Sequence, residues 1–127
     1  MAREDFEKWC ACIKRFASHP KVYMKLSGGF SELSTERVSE SSPEKLAARV
    51  KPWLDQVFEC FGPERIMFGS DWPVCNVRGP GTEDSWIIWK NLVDVALDKQ
   101  KLSVAQKRRV WAGTAEEAYR LDAQDRV

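Results

Sequence analysis

The chemistry in this sequence gathers where an apolar run ends on a carboxylate. In "ERIMFGSDWPVC", residues 64 to 75, Ile66, Met67 and Phe68 lead through Gly69 and Ser70 to Asp71, which Trp72 and Pro73 follow at once. A carboxylate at a strand end is placed to take a proton from water or substrate. Its alternative role is a turn residue that accepts backbone N–H bonds. "KVYMKLSGG", residues 21 to 29, carries Lys25 and Ser27 between apolar neighbours before Gly28 and Gly29 stop the run. Both are candidate substrate contacts; the plainer readings are a strand-edge charge for Lys25 and a loop cap for Ser27. Trp72 is a further candidate, lining a pocket or packing under the loop. The one histidine, His19, precedes a proline at a helix end. Metal sites need several convergent donors, so it carries no ligand assignment.

The elements that must position these groups can be read from periodicity. Phe6, Trp9, Cys10, Ile13, Phe16 and Ala17 recur every three or four residues, the mark of a helix ending near Ser18-His19-Pro20. Val22, Met24 and Leu26 alternate with Tyr23, Lys25 and Ser27, which reads as a strand. Residues 30 to 43 are polar and serine-rich, a long loop. Ser42-Pro43-Glu44 is a helix start, and Leu46, Val50, Leu54, Val57, Phe58 and Phe61 continue it, with Pro52 expected to kink or split it.

A second strand is expected at 65 to 69, then a loop containing "RGPG" at 78 to 81. Trp86, Trp89, Val93 and Leu97 form a helical stripe assigned to the core. Ser103 with Gln106 and Thr114 with Glu117 are capping-box patterns, predicting helices at 104–112 and 115–121.

Composition bounds the whole. The chain has 127 residues, 43% hydrophobic and 31% charged, which suits one domain but falls short of the roughly 200 to 250 residues of a complete α/β barrel. Its 20 basic and 19 acidic residues are interspersed and leave a formal charge of +1, which argues against nucleic acid and acidic membranes as partners. The amino terminus is charged from its third residue, and no window reaches the about 18 apolar residues of a membrane span. A cytoplasmic protein is expected. Cys10, Cys12, Cys60 and Cys75 show neither a disulfide framework nor zinc-knuckle spacing and are read as reduced thiols.

Two strands joined by a helical crossover make a parallel β-α-β unit. Two strands cannot bury both faces of a sheet, so the expected fold class is α/β, one end of a larger structure. Parity places Asp71 on the face of Gly69 and Met67, with Ile66 and Phe68 turned to the helices. In a barrel Asp71 then points inward at the carboxyl end of its strand, where such folds hold their catalytic groups. The same parity turns Tyr23, Lys25 and Ser27 inward.

"RIMFGSDWPVC" together with "VYMKLSGGFSEL" and the closing "GTAEEAYRL" resembles the carboxyl-terminal part of the amidohydrolase-related family, in its sugar-lactone and 2-pyrone-4,6-dicarboxylate lactonase branch. The resemblance covers roughly residues 6 to 122. It implies the carboxyl-terminal portion of a (β/α)8 barrel, with "VYMKLSG" as the seventh strand and "IMFGSD" as the eighth. Residues 1–124 would then be part of that barrel domain and residues 125–127 a tail.

It further implies a hydrolase that adds water to a lactone or cyclic ester, a small-molecule substrate, and Asp71 as the proton-transferring base. Where the intact enzyme binds a divalent metal such as zinc, Asp71 would also contact it. The His-x-His of the family's first strand has no counterpart here, so this chain alone cannot assemble a metal site, and activity of the chain by itself is not expected. Two alternatives belong to other classes: a catalytically silent remnant, and a small helical interaction domain. Oligomeric state is not legible.

Overall fold

The computed structural model describes residues 3–29, 42–77 and 85–121. Most of the serine-rich loop at 30–43, the "RGPG" segment and the tail at 125–127 lie outside the described residues. Helix α1, Arg3–Ala17, leads through a short turn to strand β1, Met24–Leu26. Helix α2, Pro43–Phe61, and a single 3-10 turn, Pro63–Arg65, lead to strand β2, Ile66–Phe68. After a second such turn, Val74–Asn76, come helix α3, Ser85–Lys99, and a closing helical run.

The strands pair in parallel, with Met24 opposite Ile66, Lys25 opposite Met67 and Leu26 opposite Phe68. Each is three residues long, shorter than the apolar alternation suggested. Among the described residues they are the whole sheet. Helix α2 is the crossover. Ser42 caps it by accepting from the Lys45 N–H, Pro43 occupies the first turn, and Gly62 ends it in a left-handed conformation (φ 65°). Pro52 does not split it; the helix is continuous through that position.

The core lies between the sheet and the helices. Leu46 from α2, Ile66 from β2, Leu92, Val93 and Leu97 from α3, and Val110 are wholly buried, each contributing about 1.5–3 kcal/mol by leaving water. Phe68 packs against Trp111 with ring centroids 4.7 Å apart. Met67 is also buried but stands outside this cluster. The alternation expected of β2 is therefore present: Ile66 and Phe68 face the helices and Met67 the other side. Helix α1 joins through Ile13 and through Phe6, which stacks on Trp9 and meets the Trp53 ring edge-on.

Two expectations need correction. Trp86 was assigned to the core stripe, yet it is 42% exposed while Trp89, Val93 and Leu97 are buried. The buried face of α3 runs through Ser85, Trp89, Leu92, Val93 and Ala96, and Trp86 stands one position off it. Thr114 was read as a helix cap. It sits instead inside helical backbone (φ −68°, ψ −38°), in a continuous run of helix α4, Val104–Arg108, a π-type turn, Arg109–Gly113, and helix α5, Thr114–Ala118. Its hydroxyl donates to the Glu64 carbonyl at 3.2 Å, and this tertiary partner replaces the local one. The other capping box, Ser103 with Gln106, forms in full.

The amino ends of the strands are tied by two arginines. Arg65 donates to the carbonyls of Ala17 and His19 at 3.0 Å, of Val22 at 3.3 Å and of Cys60 at 3.4 Å. Arg109 donates to the Glu64 carbonyl at 2.9 Å and to the Glu117 carboxylate at 2.8 Å. Tyr23, grouped by parity with Lys25 and Ser27, donates its hydroxyl to Glu117 at 2.7 Å. It belongs to this structural end of the sheet.

Candidate active site

The opposite, carboxyl ends of the strands hold the candidate residues. Beyond Phe68 the chain stays in register for one more step, as the Gly69 N–H donates to the Leu26 carbonyl at 3.0 Å. It then turns sharply. Asp71 adopts a positive φ of 61°, a conformation that Asp tolerates better than most side chains. The Asp71 carbonyl accepts from the Cys75 N–H at 2.9 Å, and the Ser70 hydroxyl accepts from the Trp72 N–H at 3.3 Å. Backbone bonds on both sides thus define the turn. The Asp71 carboxylate is not consumed in making it.

That carboxylate faces the end of β1. A methyl group at Gly28 would lie 3.5 Å from Asp71 Oδ2. One at Gly69 would lie 3.1 Å from Ser27 Cβ and 3.3 Å from Lys25 Cε, so Gly69 leaves room for the side chains that β1 directs to this face. The structure therefore brings Lys25 and Ser27 over Gly69, and Asp71 beside Gly28. Asp71 is half-buried and Lys25 exposed. Trp72 is 68% exposed and so is not packed beneath the loop.

A cavity of about 550 Å³ runs along β1, lined by Lys25, Ser27, Gly28 and Gly29 together with Trp9, Trp53 and Trp89; Asp71 and Trp72 are not among its lining residues. His19 is remote in role. It is exposed, and its carbonyl serves the Arg65 clamp.

Sequence reasoning overlooked the part played by Gly28, Gly29 and Ser70. A glycine pair after a strand reads as a stop, yet the same dipeptide is where Asp71 and the α3 indole approach the backbone. A signal was available in the pairing of Gly28-Gly29 with Gly69 at the same ends of adjacent strands.

The described residues contain no group of three or more His, Cys, Asp or Glu side chains placed to hold a metal ion. Asp71 is a single donor, and this donor set does not fit a metal by itself. The cysteines are free, and no described helix is long and apolar enough to cross a membrane.

A family model described as amidohydrolase matches residues 1–121. The chain is 30% identical over 118 residues to an L-rhamnono-gamma-lactonase of Scheffersomyces stipitis, covering 92% of this chain and 34% of that protein. It is 33% identical over 116 residues to an L-fucono-1,5-lactonase of Burkholderia multivorans, covering 90% and 36%. It thus spans about a third of the length of the curated relatives it matches.

Two crystal structures of an amidohydrolase from Burkholderia multivorans, one with bound HEPES and one with bound zinc, superpose with a TM-score of 0.74 at 33% identity over 91% of this chain. They are covered to 37% and 38%. The α/β architecture expected from sequence, a portion of a (β/α)8 barrel, agrees with this match. On the fold, the strand-to-carboxylate step and the family match together, this chain belongs to the amidohydrolase family.

Proposed function

We propose that the chain supplies the carboxyl-terminal part of the active site of a lactone hydrolase, with Asp71 as the base. The observation that carries the reading is the Asp71 carboxylate itself, held at the carboxyl end of β2 beside Gly28 while the Asp71 carbonyl and the Ser70 hydroxyl, not the carboxylate, make its turn. Relatives named as sugar lactonases supply the substrate class.

In this reading the Asp71 carboxylate accepts a proton from water as the water oxygen bonds to the lactone carbonyl carbon. The tetrahedral adduct then collapses with cleavage of the ring C–O bond. The proton passes from Asp71 to the departing ring oxygen, and an open-chain hydroxy acid leaves. Lys25 and Ser27 contact the substrate from the neighbouring strand end, and Trp72, exposed beside Asp71, contacts it from the turn. A contact from Asp71 to zinc or another divalent ion belongs to the proposal only for an intact barrel whose other strands bring further donors. Location in the cytoplasm belongs to the same reading, since the thiols are free as in a reducing compartment.

Asp71→Asn in an intact barrel carrying this chain tests the assignment. Asn keeps the size and suits the left-handed backbone, but it is no base, so turnover should fall by roughly 10²- to 10⁴-fold while the melting temperature holds. Near-normal turnover in a folded variant would remove Asp71 from the mechanism.

A further inference from the structure

Helix α3 reaches the candidate site with the indole of Trp89. The ring is 4% exposed. Its Nε1–H donates to the Gly69 carbonyl at 2.9 Å and lies 3.3 Å from the Leu26 carbonyl. One carbonyl belongs to the last residue of β1 and the other to the first residue beyond β2, where the chain turns to Ser27 and Gly28 on one side and to Ser70 and Asp71 on the other. A single donor thus reinforces the last ladder bond, from the Gly69 N–H to the Leu26 carbonyl, by bridging the same two residues.

The ring reinforces the bridge. A methyl group at Gly29 would lie 2.6 Å from the indole Cη2 and 2.8 Å from Cζ3, so the β1 end rests directly on the ring with no side chain between them. Trp is a donor only, and its buried N–H requires an acceptor. Here it has found two at the site rather than one elsewhere in the core.

From this geometry we infer that Trp89 is a positioning residue for Asp71: its indole N–H sets the spacing of the two strand ends, and with it the place of the carboxylate against the substrate. Phe at this position would fill much of the volume and leave both carbonyls without the bridge. The inference rests on the reading of Asp71 as the base. It adds that α3, which contributes no group to the chemistry, governs its geometry.

The test uses an intact barrel carrying this chain, with turnover of a sugar lactone as the readout. Trp89 is replaced by Phe and, separately, by 3-benzothienylalanine, which keeps the indole shape and puts sulfur in place of the N–H. Both should lower kcat by about 10- to 100-fold with KM nearly unchanged, because displacement of a reacting group by a fraction of an ångström to 1 Å costs on that scale. The shape-preserving analogue decides the matter if the Phe variant does not fold. 7-Azatryptophan, which retains the N–H, should restore kcat.

In an Asp71→Asn background the analogue should cause little further loss, since residues that act through one another are not additive. A kcat unchanged by the analogue, or an equal loss with and without Asp71, would overturn the inference. If Asp71→Asn itself turned over normally, the assignment of the base would fall first. If that variant were slow and the analogue harmless, only the role of Trp89 would fall.

Discussion

The Asp71 carboxylate lies against the backbone of Gly28, near enough that a methyl group added at Gly28 would stand 3.5 Å from Oδ2. This spacing is ordinary van der Waals contact, so an added methyl has room. The backbone does not welcome it: Gly28 has φ 72°, where a Cβ costs about 1–2 kcal/mol. Gly28→Ala should therefore lower stability by about that amount while turnover of the folded intact barrel changes little. Thermal melts and lactone turnover measured on the same preparation check both effects. Unchanged stability would contradict the left-handed conformation.

Arg65 is one of the two ties at the amino end. Its guanidinium serves carbonyls of Ala17, His19, Val22 and Cys60 and lies 5.1 Å from the centre of the Phe61 ring. Arg65→Met keeps the length and removes the donors, so denaturant unfolding should show a loss of about 1.5–3 kcal/mol, the scale of hydrogen bonds to a charged group. Arg3→Met removes an exposed i,i+4 pair with Glu7 and should cost less than about 0.5 kcal/mol. Equal effects from the two would refute the clamp.

The Tyr23–Glu117 hydrogen bond makes stability depend on pH from both sides. The Tyr23 hydroxyl, and after it Arg109, holds the Glu117 carboxyl below its ordinary 4.5. A carboxyl whose pKa is depressed on folding stabilises the fold above its unfolded value, and that stability is lost as pH falls through the folded value. The same bond raises the Tyr23 hydroxyl above its ordinary 10.0. Its contribution is complete below 10.0 and disappears as pH rises through the folded value. Tyr23→Phe should lower stability most near neutrality, where the bond's contribution is complete, and least at the two extremes, so the profile flattens. A profile parallel to that of the unsubstituted chain would dismiss the linkage.

The 127-residue chain by itself should not open sugar lactones. Its described residues offer one site carboxylate with Lys25 and Ser27 on two strands, while a barrel site draws on the ends of several strands. Robust turnover by the purified chain, lost in Asp71→Asn, would contradict this and show that the site is sufficient as it stands.

Much of this molecule follows from local pattern. The helical spacing of Phe6, Trp9 and Ile13, the cap at Ser42, the capping box at Ser103 and the alternation through Ile66-Met67-Phe68 are all realised, because each depends on residues within one turn or one pleat of one another. Parity alone also brought Lys25, Ser27 and Gly69 to one face. What periodicity could not supply was any partner distant in sequence. Thr114 carries a capping pattern but bonds Glu64, 50 residues away. Tyr23 alternates with Lys25 but reaches Glu117, 94 residues away. Trp89 reads as one more core position in a helical stripe, and only the packing of α3 beneath the strand ends turns its N–H toward Gly69 and Leu26. Sequence order by itself determined which face the residues of the two strands occupy; the tertiary structure decided which helix positions are covered and which buried donor meets which carbonyl, since a hydrogen bond is satisfied by proximity in space.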